Sequence, residues 1–177
     1  MAGIDTGARA LKLEAVVCGA ELRIRPERVR WIHKHRSFGD IALLPGKQAP
    51  DIRARTLAGD SLSLRDLQGR PIVLEYFHPG DKLFGRQLAS RNALYEATRS
   101  DSVAFVSVSV SPDTLLYRAL TENRSVAGRR VVASGGMDDP VVEAYNVADV
   151  PVRYLIGADG RILGRYDGPA FLALQED

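Results

Sequence analysis

Apolar and polar positions change period several times along the 177 residues, and each change marks an element. Between Leu11 and Ile32 they alternate in short stretches: Leu11 and Leu13, Leu22 and Ile24, Val29 and Trp31. Alternation is the signature of a half-buried strand. Pro26-Glu27 predicts a turn joining strands at 22–25 and 28–33, a β-hairpin. A helix opening at Pro26 is the rival, because proline suits a first helical position. Residues 36–47 read as a linker ending in Leu44-Pro45-Gly46.

Beyond Gly46 the pattern becomes that of an α/β domain. Gly59-Asp60-Ser61 is a turn before Leu62-Ser63-Leu64. Pro71 to Phe77 is almost continuously apolar, which marks a strand covered on both faces. Residues 83–99 have helical composition, and 103–110 form a second buried strand. Residues 113–123 read as a helix capped by Asp113, and 130–133 as a short strand. Asp139-Pro140 opens a helix running to Tyr145, with aspartate as cap and proline in the first turn. Strands at 152–156 and 161–165 join across Gly157-Ala158-Asp159-Gly160, a hairpin signal. The order β-α-β-α-β-α-β-β predicts a mixed, mostly parallel central sheet flanked by helices. The organisation is a β-containing extension over 1–45 and one domain over 46–177. Pro169 to Asp177 is too short for a closing helix, so one sheet face is expected to need a cover, either the extension or another subunit, and the second predicts a homodimer or a protein partner.

Composition narrows the setting. Hydrophobic residues are 45% and charged residues 26%, ordinary for a soluble domain. The net charge of +2 gives no general pull toward nucleic acid. Residues 1–46 nevertheless hold eight Lys and Arg against five acids, and the remainder 16 against 17. Arg23, Arg25, Arg28 and Arg30 alternate with Leu22, Ile24 and Val29, the pattern of a solvated strand face. Nucleic-acid readers usually add exposed aromatics to a basic stripe, and Trp31 is the one candidate here, so nucleic acid is not the expected partner. No apolar run reaches the roughly 18 residues of a membrane span. The start lacks a basic region followed by an apolar stretch, and the expected location is cytoplasmic. The single cysteine, Cys18, excludes an internal disulfide and fits a reducing compartment. His33, His35 and His78 lack metal-ligand spacing, and no motif implies a cofactor.

Several motifs together resemble the thioredoxin-like superfamily. Gly46-x-x-Ala49-Pro50-Asp51, Leu57-x-Gly59-x-x-x-Leu64-x-Asp66-Leu67-x-Gly69 and Pro71-Ile72-Val73-Leu74 are similar to the entry of peroxiredoxin-like and related proteins. Val150-Pro151, then a strand and Asp159-Gly160-Arg161-Ile162, resembles their cis-proline segment and hairpin. The resemblance spans residues 44–170 and implies a thioredoxin-like fold. Within it, Leu74-Glu75-Tyr76, Phe84-Gly85-Arg86-Gln87-Leu88 and Asn92-Ala93-Leu94-Tyr95-Glu96 are similar to the iodothyronine deiodinase-like family. That register puts Asp81 at the selenocysteine or cysteine position, and the family's acidic-plus-histidine segment is missing near Pro112 and Thr114. Tyr76 to Asp81 with Val106-Ser107-Val108-Ser109 resembles peroxiredoxins instead. There the peroxide-reducing cysteine would fall at Arg86 and its threonine partner at Leu83. A thioredoxin-type register puts Asp81 and Phe84 where a Cys-x-x-Cys pair would stand.

Every register lacks the nucleophile. Reduction of peroxide, disulfide or C–I bonds on this fold needs a thiolate or selenolate at a helix N-terminus, where the dipole lowers its pKa. Asp81 is favoured electrostatically there, but a carboxylate cannot cycle through a disulfide, and a helix cap accounts for it. Glu75 stands where the resemblance implies a buried acid assisting thiol proton transfer; without a thiol it becomes a relic or a structural hydrogen-bonder. His78, Lys82, Arg86 and Arg153 are candidates for an anion-friendly groove beside that helix start, with ordinary surface charge the alternative. Pro151 is expected in cis, leaving the Val150 backbone open to an extended ligand. Cys18 is a buried inert thiol, a redox thiol folded back toward 78–86, or the site of an intermolecular crosslink. Two functions remain: a degenerate redoxin acting as a binding or scaffolding module, or an oxidoreductase using Cys18 or a partner's thiol.

Overall fold

The computed structural model describes residues 41–123 and 126–167, with strand segments 11–13 and 24–26. In the extension, β1 (Leu11–Leu13) pairs antiparallel with β2 (Ile24–Pro26), Leu11 opposite Pro26. This differs from the hairpin expected about Pro26-Glu27. Pro26 closes a strand instead of opening a turn, and residues 28–33 lie outside the described residues. Cys18, Trp31 and the rest of the arginine ladder beyond Arg25 lie outside them too.

The domain is built on a seven-stranded sheet of order β4-β3-β7-β6-β5-β8-β9. Its strands are β3 (Arg53–Thr56), β4 (Ser61–Ser63), β5 (Ile72–Phe77), β6 (Ala104–Ser109), β7 (Arg129–Val132), β8 (Val152–Ile156) and β9 (Ile162–Asp167). β5, β6 and β7 run parallel, and β8–β9 and β3–β4 add antiparallel hairpins at the two edges. The β3–β4 hairpin is absent from the order expected from the sequence. Arg53-Ala54-Arg55-Thr56 presents charged residues where a buried strand would show apolar ones, because only one of its faces is covered.

Period two along β5 divides the core. Ile72, Leu74 and Tyr76 join Val141, Val142, Tyr145 and Tyr154 on one face, beneath the short helix α3 (Pro140–Glu143). Hydroxyl bonds tie this layer together: Tyr76 donates to the Val141 carbonyl, Tyr154 to Tyr145 and Tyr145 to Pro50. Val73, Glu75 and Phe77 face the other way, beneath helices α1 (Lys82–Ala97) and α2 (Thr114–Asn123). Leu155 and Tyr166, on the last two strands, are buried with Val73, Leu94 and Phe105. The bare sheet face expected there is therefore not present among the described residues. Their large apolar side chains that reach solvent are Ile41, Leu115, Leu116 and Met137.

Candidate functional site

β5 ends at Phe77 and hands the chain to His78-Pro79-Gly80-Asp81, a tight turn closed by the Asp81 N–H on the His78 carbonyl at 2.9 Å. Proline at its second position presets the backbone. The His78 ring is turned inward on its own loop, Nδ1 accepting the Gly80 N–H at 3.0 Å. Asp81 is then the N-cap of α1, its Oδ1 accepting the Leu83 N–H at 2.8 Å. The carboxylate satisfies an orphan donor and complements the dipole. Three residues on, Phe84 is fully buried and stacked on Phe77 at 4.0 Å, with Tyr117 edge-on to Phe77. Lys82 and Arg86 are exposed on the first turns of α1.

Under α1 lies a buried ionic cluster. Register places Glu75 directly opposite Ser107 on β6 and Arg153 on β8, so three polar side chains sit in a row across the sheet. Arg91 descends onto them from the inward stripe of α1, one turn beyond Gln87. Glu75 Oε1 accepts from Arg91 Nε at 2.7 Å and from Ser107 Oγ at 2.6 Å, and Oε2 accepts from Arg153 Nε at 3.0 Å. Arg91 also donates to Ser107 Oγ, to Asn92 Oδ1 and to the Ala127 carbonyl, and its guanidinium lies 5.2 Å from the Phe105 ring centre. Arg153 Nη2 donates to Gln87 Oε1 at 3.2 Å. Glu75, Arg91 and Arg153 are each at most 1% exposed. Burial alone would raise the Glu75 pKa; the guanidiniums of Arg91 and Arg153, with the Ser107 hydroxyl, outweigh it and hold the carboxyl below its ordinary value. Glu75 is thus a fixed carboxylate.

Arg153 therefore does not line a surface groove with His78, Lys82 and Arg86. It stands on a strand whose two faces are both covered, and its head is spent on Glu75 and Gln87. The Val150–Pro151 bond is cis, one residue before the Val152–Tyr76 pair, so this segment and the 78–81 loop share one end of the sheet. The Val150 N–H is not open to a ligand, because the Asp149 carboxylate accepts it at 2.8 Å. Arg91, Ser107 and Gln87 were not singled out from the sequence. The readable signal was a glutamate inside an apolar strand, which demands a buried cation, and an arginine on the same helical stripe as Phe84, Leu88 and Leu94. Among the described residues no three His, Cys, Asp or Glu stand where they could hold a metal.

Solved structures with this architecture include the thioredoxin domain of a thiol-disulfide oxidoreductase from Bacteroides vulgatus, at TM-score 0.67 and 21% identity over 76% of this chain and 96% of that one. A thiol:disulfide interchange protein DsbE from Chlorobium tepidum matches at TM-score 0.68 and 20% identity, over 76% and 94%. The fold is thioredoxin-like. Curated relatives of this thioredoxin-like domain include thiol-disulfide oxidoreductase ResA of Geobacillus kaustophilus, 26% identical over 121 residues, 68% of each chain. ResA of Bacillus thuringiensis is 20% identical over 123 residues, 70% of this chain and 69% of that protein. No protein-family model matches. In this thioredoxin-like domain the loop after β5 and the first turn of α1 contain no cysteine.

Proposed function

We propose that the chain is a non-catalytic thioredoxin-fold module that binds or scaffolds a protein. The observation that carries this reading is the state of Glu75. A carboxylate clamped by two buried guanidiniums cannot trade protons near neutral pH. The residue positions around it agree with that state: Asp81 serves α1 as its cap, and Phe84 serves the core. Asp81 at the helix terminus favours the registers that put the nucleophile position there. Arg86, exposed in the second turn, lacks the orphan N–H groups that position requires, which weighs against the peroxiredoxin register.

The relatives' names favour a second reading, a thiol-dependent oxidoreductase that borrows Cys18 or a partner's thiol. Peroxidase and disulfide-reductase turnover of the fully reduced protein, beside a Cys18→Ser variant, separates the two. The binding reading expects no turnover from either folded protein. Turnover that disappears in Cys18→Ser would replace it with the second.

A further inference from the structure

The structure carries a second feature at the carboxyl end of its parallel strands. A groove of about 650 Å³ opens between β3 and α2, bounded by Arg53, Arg55 and Arg118 and closed by Ser134, Asp139 and Pro140. Period two puts Arg53 and Arg55 on one face of β3, the face Val132 takes opposite Arg55 on β7. Arg118 is pegged by Nη2 to the Leu57 carbonyl at 2.8 Å, which fixes its head at the wall. Against these three arginines one acid, Asp139, lines the groove. Asp139 is spent as the cap of α3 and on the Gly135 N–H. Asp51 stands 3.9 Å from Arg53 but is shared with Arg65, the Arg65 N–H and Ser63 Oγ. Arg55 makes no ion pair among the described residues.

Two exposed apolar side chains flank this groove in the chain. Leu115 is 76% exposed, and it follows Thr114, a lining residue. A Cβ built on Gly136 would lie 3.7 Å from Pro112 Cδ, which brings the Met137 turn against the segment entering α2. A Cβ on Gly80 would lie 3.8 Å from Leu116 Cδ2, so Leu116 covers the 78–81 loop. Of the four large apolar side chains that reach solvent among the described residues, Leu115 and Met137 thus lie within two residues of the groove's lining, at Thr114 and Asp139. Apolar contacts supply affinity at an interface and arginine supplies bidentate recognition of carboxylates.

We propose that this surface docks an acidic segment of a partner protein, its carboxylates on Arg53, Arg55 and Arg118 and an apolar side chain against Leu115 and Met137. Charge complementarity selects that occupant, and the proposal deepens the binding reading on which it rests. Random twelve-residue peptides displayed on phage are selected on the purified full chain, and the winners are synthesised and titrated. The expected winners pair Asp or Glu with Leu, Ile, Phe or Met. Their affinity falls at least tenfold in Arg55→Glu and in Leu115→Asp, both solvent-facing changes checked by circular dichroism, and is unchanged in Arg70→Glu at the opposite end of β5. Peptides without acidic bias, equal binding by all variants, or no selected peptide overturn it. Inorganic pyrophosphate that raises Tm through Arg55 while no peptide is selected assigns the groove to a small anion and overturns it too. Cys18-dependent turnover with peptide binding intact would overturn the non-catalytic reading and leave this surface standing.

Discussion

Glu75 is a carboxylate out of reach of water, and its two guanidinium partners belong to different elements. Such a cluster contributes little net stability over an apolar one, but breaking it is costly, by about 3–5 kcal/mol, because the remaining charges stay buried and unpaired. Glu75→Gln leaves Arg91 and Arg153 in that state, and its unfolding free energy from urea melts should fall by that amount. The pH dependence follows from the lowered pKa. The unfolded carboxyl titrates near 4.5, and the folded one below it. The contribution is therefore complete above the unfolded value and is lost as pH falls through the folded one. A stability profile measured from pH 7 down to pH 3 should show this acid limb in the wild type and a flatter one in Glu75→Gln. At this scale the sequence showed that a partner was needed, but not which one. Pairing Glu75 with Arg153 depends on the β5–β8 register, which composition does not encode.

The helix α1 makes its own statement about position 81. Removing the cap with Asp81→Ala should cost about 1 kcal/mol, whereas Asp81→Asn retains the acceptor and should cost only a few tenths. A catalytic carboxylate would show the reverse sensitivity, with Asn as damaging to activity as Ala. Phe84, one turn further on, fills the space between Phe77, Leu88 and Tyr117, and Phe84→Ala should lower stability by about 3–5 kcal/mol in thermal or urea melts. Buried elements were legible. The expected strand at 152–156 matches β8, and those at 71–77 and 103–110 lie within a residue at each end of β5 and β6, because strands covered on both faces are almost wholly apolar. β3 was not legible, because a half-covered edge strand carrying arginines resembles a surface loop.

At the scale of the whole molecule, charge and apolar surface are unevenly placed. Both large helices lie on one face of the sheet, and α2 leaves the β3 side of that face open as the groove. The candidate site was legible as a place, the turn before α1 beside Pro151, because loop and cis-proline motifs are local. The groove was not, since Arg118 lies some sixty residues beyond Arg53 and Arg55 in sequence and reaches the β3 side only in the folded chain, through the Leu57 carbonyl.

The buried triad also bears on how this domain can change. A thiol introduced at position 81 alone would gain a helix terminus, yet the acid beneath that helix would already be committed to two fixed cations. Freeing the acid by substituting either arginine first breaks a cluster that ties β5, β8 and α1 together. Substituting either arginine first should therefore cost about 3–5 kcal/mol of stability before any thiol chemistry is gained.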